Sequence, residues 1–239
     1  MVIIVITEYI ALDLETTGLD PKKNKIIEIA AVHVKDGKVA DRYQTLLNPG
    51  WKLPERITEL TGISNEDLLD APTAEEKLEE FLQFVQDRVI VGHSIMFDYS
   101  FLKRAAVNQG LVFEAEGIDT LKIARKYLAD LPSRNLHALC LHYGIEHHAH
   151  RALADAVAAH ELLVRMWEQF YSEETADDFL PRELHYQVKR ESPILKSQKE
   201  RLLRMLEQHK INPEYDVSRL TRNEASRIID GIILEYGKL

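Results

Sequence analysis

The chain has 239 residues, 45% of them hydrophobic and 29% charged, with a net charge of −9 at pH 7. Those values suit one ordinary globular domain with an appendage, or one large domain, and argue against a protein that coats polyanions. Cys140 is the sole cysteine, so internal disulfides and thiolate zinc centres are excluded, which fits a reducing cytoplasm. Residues 1–6 are apolar but brief, lack a basic leader and run directly into Glu8, so no secretory signal is expected. No run approaches the roughly 20 apolar residues of a membrane span.

Residues 9–14 are short, apolar and end among acids, which predicts a buried strand. After a turn at 19–21, the β-branched stretch 26–34 predicts a second strand. Asp36-Gly37 supplies a hairpin turn, and 39–47 returns as a third. Asn48-Pro49-Gly50 breaks the pattern, and short helices follow over 54–60 and after Ser64. Residues 73–85 form an amphipathic helix with Leu78, Phe81, Leu82 and Val85 on one face. A short strand over 88–91 leads to Ser94, expected to cap a helix running to about Gln109. Then come a strand end at 118–119, helices over 120–128 and 136–143, the latter stopped by Gly144, and a long alanine-rich helix over 151–171.

This order predicts an α/β domain over 1–171, a mixed sheet with helices against it. Residues 172–181 are acidic and read as a linker. Residues 182–239 predict a small C-terminal helical module, with helices over 198–209 and 220–236. The second opens on a capping box of Thr221 and Glu224. The module carries 12 Lys/Arg and 9 Asp/Glu, so it is mildly basic beside an acidic body.

Three clusters carry the chemistry. Asp13 and Glu15 alternate along the first strand, so both side chains face one way and repel unless a cation lies between them. Asp98 falls in the first turn of a predicted helix, where the dipole favours a carboxylate. His150 and Asp155 are five apart and would lie about 140° from each other on one helix. They converge only if His150 sits on the loop before the helix and Asp155 in its first turn. Four hard oxygen ligands suit Mg2+ or Mn2+, two of which a phosphodiester hydrolase can use, with a histidine to take a proton from water. His147-His148-Ala149-His150 leaves a rival imidazole metal site open. His93 either contacts phosphate or scaffolds the site, and Phe97 either joins the core or packs on a base.

Asp13-Leu14-Glu15-Thr16-Thr17-Gly18-Leu19, the run from Val91 to Asp98, and His150 to Ala156 together resemble the motifs of the DEDDh exonucleases (DnaQ-like, with an RNase-H-like fold). The resemblance is strongest to the proofreading exonucleases of bacterial DNA polymerase III and covers about residues 8–170. Ile57 to Ile63 is similar to a further segment of the polymerase-type members. A histidine five before the last acid, where other branches carry tyrosine, marks the "h" branch. One departure is Ser94, where the family often has Asn; serine keeps a capping hydroxyl.

The resemblance implies 3′→5′ removal of nucleoside monophosphates from single-stranded or frayed 3′ ends. It assigns Asp13 to both metals, Glu15 and Asp155 to the ion that binds the nucleophilic water, Asp98 to the second site through water, and His150 to the general base. The backbone around Thr16, Thr17 and Gly18 would hold the 3′-hydroxyl, with Leu19 and Phe97 beside the end base. A DNA polymerase or other replication or repair protein is the implied partner. The motifs do not separate DNA from RNA, so an exoribonuclease stays open, as does an inactive binding module. The tail is read either as a packing and assembly module or as a grip on nucleic acid through Lys189, Arg190, Lys196, Lys199, Arg201 and Arg204.

Overall fold

The computed structural model describes residues 6–147 and 151–237. The chain opens with an antiparallel meander of β1 (Glu8–Thr16), β2 (Ile26–Lys35) and β3 (Lys38–Leu46). Its β2–β3 turn places Asp36 and Gly37 at φ 50° and 73°, the paired left-handed geometry that Asp-Gly favours. Next come α1 (Glu55–Thr61), α2 (Asn65–Leu68) and α3 (Ala74–Val85). Ser64 with Asp67, and Thr73 with Glu76, form the capping boxes that start α2 and α3. The body continues through β4 (Ile90–Gly92), α4 (Ile95–Gln109), β5 (Glu116–Asp119), α5 (Thr120–Tyr127), α6 (Leu136–Tyr143), α7 (Ala152–Phe170) and β6 (Arg182–Glu183).

The six strands form one mixed sheet in the order β3-β2-β1-β4-β5-β6. β4 and β5 run parallel to β1, whereas β6 runs antiparallel to β5. Helices cover both faces of the central β1, so its alternate residues feed two cores. Tyr9 and Ala11 join Val32, Val34, Leu162 and Met166 on the α7 side. Ile10, Leu12 and Leu14 join Leu78, Phe81, Tyr99 and Leu102 on the α3–α4 side. Each large side chain buried this way contributes roughly 1.5–3 kcal/mol. Ala152, Ala156, Ala158 and Ala159 are all buried on α7. With no bulk beyond Cβ there, the helix lies close on β1 and β2. The fold is thus the mixed-sheet, helix-flanked α/β architecture that the residue pattern predicts.

The stretch expected to be a linker is instead part of the body. A 3-10 turn spans Ala176–Phe179, and Phe179 is fully buried against Tyr127, Trp167 and Tyr171. Acidic neighbours disguise that one aromatic anchor. β6, which the sequence assigns to the tail module, closes the sheet edge beside β5, and Leu184 just after it packs into the core.

The tail itself comprises α8 (Lys196–Gln208) and α9 (Arg222–Tyr236) around a separate core of Leu202, Met205, Leu206, Val217, Leu220 and Ile229. Thr221 and Glu224 form the capping box expected for α9. Polar contacts tie the tail to the body. Lys52 N donates to Glu214 O at 2.7 Å and Asp216 N to Gly50 O at 2.9 Å, and Lys25 pairs with the buried Glu224 at 3.1 Å. Among the described residues no helix is long and apolar enough to cross a membrane.

Candidate active site

Three elements bring the acids together: β1, the start of α4 and the start of α7. Asp13 and Glu15 lie on the same face of β1, opposite Ala30 and Glu28 of β2. The register slips between Glu15 and Thr16, where the strand bends out toward the loop. Asp155 occupies the first turn of α7, its backbone N–H bonded to Arg151 O at 3.0 Å. One oxygen each from Asp13, Glu15 and Asp155 lie within 4.8 Å of one another. Asp98, only 2% exposed, turns Oδ1 to the Leu14 N–H at 3.1 Å, which fixes it beside β1 but outside that trio.

Crowding these carboxylates in a buried setting disfavours their ionised forms. Burial raises the Asp13 carboxyl well above its ordinary range, and the charges of Asp98, Asp155, Glu15 and Glu28 raise it further. Burial likewise raises Asp98, against the pull of hydrogen bonds from its own N–H and that of Leu14. Glu15 is pushed up to about 8 by burial and by its neighbours Asp155 and Glu28. A crowded set of hard oxygens whose ionised forms repel one another fits a divalent cation, whose charge would relieve the repulsion.

His150 lies outside the described residues, as do His148 and Ala149. The described member of that run, His147, has a buried side chain whose Nε2 is bonded to Asp155 Oδ1. Its Nδ1 has no hydrogen-bond partner among the described residues. His93 has two internal partners: Nδ1 meets Thr120 Oγ1 and Nε2 meets Arg134 O, each at 2.9 Å. It therefore braces β4 against the α5–α6 region, and burial lowers its pKa.

Ser94 does not cap α4 as expected. It occupies the N-cap position in a left-handed conformation, φ 74° and ψ 42°, and its side chain makes no capping bond. Its N–H donates instead to Asp119 Oδ1 at 3.0 Å, and the same oxygen caps α5 through Leu121 N. The backbone must turn sharply from β4 to aim Asp98 at β1, and that turn removes the hydroxyl from capping reach.

The loop after β1 is held by its own hydroxyls. Thr16 Oγ1 donates to Gly18 O at 2.8 Å, while Thr17 Oγ1 accepts from Lys25 N at 3.0 Å. Thr17 N–H is committed to Lys25 O at 2.9 Å. Leu19 beyond them is 80% exposed. Phe97 is half-buried, its ring 5.0 Å from that of Phe101.

Sequence reasoning missed Glu28, fully buried on β2, which accepts from Gln44 Nε2 at 2.6 Å and from the Ala152 N–H at 3.3 Å. Its signal was a lone acid inside an otherwise apolar, β-branched run. It also passed over Asp119, which joins two helix starts, and gave His147 no contact with Asp155.

The family model for RNase_T, described as an exonuclease, matches residues 10–163, which hold all four acids and His150. The chain belongs to the RNase_T exonuclease family. It is a nuclease enzyme of the DnaQ type, similar to replication proteins. The DNA polymerase III subunit epsilon of Aquifex aeolicus is 38% identical over 165 residues, covering 68% of this chain and 82% of that one. A PolC-type DNA polymerase III of Halalkalibacterium halodurans is 33% identical over 243 residues, 97% of this chain but only 17% of the polymerase. Among solved structures, Exonuclease X in complex with 5′ overhanging duplex DNA is 25% identical with a TM-score of 0.55, over 71% of this chain and 98% of that one.

Proposed function

We propose that this RNase_T exonuclease removes nucleoside monophosphates from single-stranded or frayed 3′ ends of DNA, in the 3′→5′ direction, using two Mg2+ or Mn2+ ions. The observation that carries the reading is the set of oxygens from Asp13, Glu15 and Asp155 within 4.8 Å, with buried Asp98 on the adjoining helix turn. Asp13 is suited to touch both ions, Glu15 and Asp155 to hold one, and Asp98 to support the other. Bound ions would acidify a water and offset charge on the departing 3′-oxygen. His150, next in sequence before Arg151 at the N-cap of α7, would accept the proton from that water. The loop at Thr16, Thr17 and Gly18 presents backbone to the terminal sugar, and Leu19 and Phe97 offer apolar surface to the last base. His93 acts at one remove, as a brace for the site.

Similarity to an epsilon subunit and to a PolC-type polymerase supports a polymerase partner in the cytoplasm, with proofreading or repair as the task. Incubation of 5′-labelled single-stranded DNA with Mn2+ should give a ladder shortened from the 3′ end, with nucleoside monophosphates released. Matched RNA tests the sugar preference. His150→Ala should lower turnover by roughly 10²- to 10⁴-fold while Mn2+ still binds. Loss of Mn2+ binding in that variant would point to the imidazole site instead, and absence of any nucleotide release by the parent chain would sink the enzyme reading.

A further inference from the structure

Between tail and body lies a broad recess of about 1080 Å³. It is bounded by Lys22 on the loop after β1, by Lys103 and Arg104 on α4, by residues 185–191 and by Arg227 on α9. Six Lys/Arg and two Glu line it, although the whole chain carries −9. Both acids are already paired: Glu114 with Lys103, and Glu191 with Arg104 at 2.8 Å and with Asn223 Nδ2 at 2.9 Å. Lys22, Lys189, Arg190 and Arg227 remain, and among the described residues no carboxylate forms an ion pair with them. Two of these cations are held in place by main-chain carbonyls, which leave their charge uncancelled. Arg190 Nε donates to Asn108 O at 3.2 Å, and Arg227 Nη2 reaches Lys22 O at 3.5 Å.

The recess shares two elements with the acid cluster. Lys22 follows the exposed Leu19 by three residues on the loop that leaves β1. Along α4, Arg104 lies about 9 Å further along the axis than Asp98 and about 120° around it, so the helix wall of the recess is a different face from the one that carries Asp98. Half-buried Tyr186 adds an aromatic surface to the wall.

We propose that this recess is a channel for the phosphodiester backbone of the substrate strand upstream of its 3′ end. The inference rests on the exonuclease reading above and extends it beyond the acid cluster, to Lys189 and Arg190 on the segment before α8 and to Arg227 on α9. An acidic chain repels a polyanion at long range, so a local basic channel that begins at Lys22, on the loop after β1, gives the strand a favoured line of approach. The cations on α8, Lys196, Lys199, Arg201 and Arg204, do not line the recess.

The test uses the full chain and oligothymidylates of about 4 and about 16 nucleotides, with Mn2+. The parent should favour the longer strand in kcat/KM. Lys189→Glu combined with Arg227→Glu should lower kcat/KM on the longer strand roughly tenfold and remove most of its advantage over the shorter. The salt slope of log kcat/KM should become shallower by about 1.4, from two lost phosphate contacts at about 0.7 each. Lys38→Glu with Arg42→Glu, the same charge change on exposed sites of β3, should keep both the length preference and the slope. Thermal melting of each variant checks the fold. The channel is refuted if the first pair retains the parent's length preference and slope, or if the β3 pair loses them equally. Failure of the parent to cleave either strand would count against the exonuclease reading instead. Fluorescence anisotropy of the labelled longer strand then decides the channel, with the same ordering of variants expected.

Discussion

Ser94 holds a left-handed backbone at φ 74°, a conformation that costs a residue with a Cβ roughly 1–2 kcal/mol unless, like Asn, it has a local polar contact to offer. Ser94→Asn should therefore stabilise the chain by about 0.5–1 kcal/mol in urea unfolding, and Ser94→Val should destabilise it. A neutral result for both would mean that the Asp119 bond alone sets the turn. Serine here was legible as a helix start, but its φ was not. Pattern marks where a helix begins, whereas the angle is imposed by β4 and by Asp119, 25 residues away. Glu15 gives a second residue-scale prediction. Its carboxyl moves from 4.5 to about 8 on folding. Between those pH values the folded chain holds a proton that the unfolded chain has released. Without cations, stability should thus fall as pH rises through that window. A cation must displace the same proton, so Mn2+ affinity should climb toward pH 8 and then level off. Calorimetric titration at pH 7 in two buffers of different ionisation enthalpy should show protons released, and fewer from Glu15→Gln. Equal release from both chains would contradict the assigned shift.

At the scale of elements, the β1–β2 ladder and the start of α7 are joined through Glu28. Arg151, at the N-cap of α7, supplies no side-chain cap, and Glu28 from β2 accepts the Ala152 N–H in its place. The same carboxylate stands directly across from Glu15, so it stabilises the helix start while it adds repulsion to the site. Two substitutions separate these effects. Glu28→Ala leaves a buried N–H without its acceptor and should cost about 1–3 kcal/mol. Glu28→Gln keeps an acceptor and removes the charge, so its stability in a chelating buffer should match or exceed the parent's. Urea unfolding of both distinguishes them, and equal losses would show that the charge itself is required. The strands, the hairpin turn and the acids at their ends were legible because period-two alternation and Asp-Gly chemistry are local. Glu28's partner was hidden 124 residues away, and β6, two residues long, is too short to carry a period. His147 was visible only as one of a histidine run; its approach to Asp155 depends on how the chain after α6 folds back onto α7.

The molecule as a whole has two kinds of cohesion. The body's cores are shared between the sheet and its helices, and Phe179 and Leu184 extend them past the expected boundary. The tail's core draws only on its own residues, from Ile194 to Ile233. Helical periodicity made the tail's two helices legible, but not the join, because acidic residues around Phe179 carry no burial signal. We place the division after Tyr186, the last residue packed against the body's core, and before Ile194, the first in the tail's. Backbone hydrogen bonds and ion pairs hold the two together. The backbone bonds are each worth about 1 kcal/mol and the partly buried Lys25–Glu224 pair somewhat more, in sum far below the burial that holds the sheet. The tail should therefore open without the body. Native-state hydrogen exchange should show α8 and α9 amides exchanging through one sub-global opening, at a lower free energy than those of β1, β2 and α7. Lys25→Met should lower the tail's opening energy further, because it strands the buried Glu224, whose carboxylate is held below its ordinary range by Lys25 and by Thr221 despite burial. A single opening energy for all these amides would instead mean that the polar join couples the two cores into one cooperative unit.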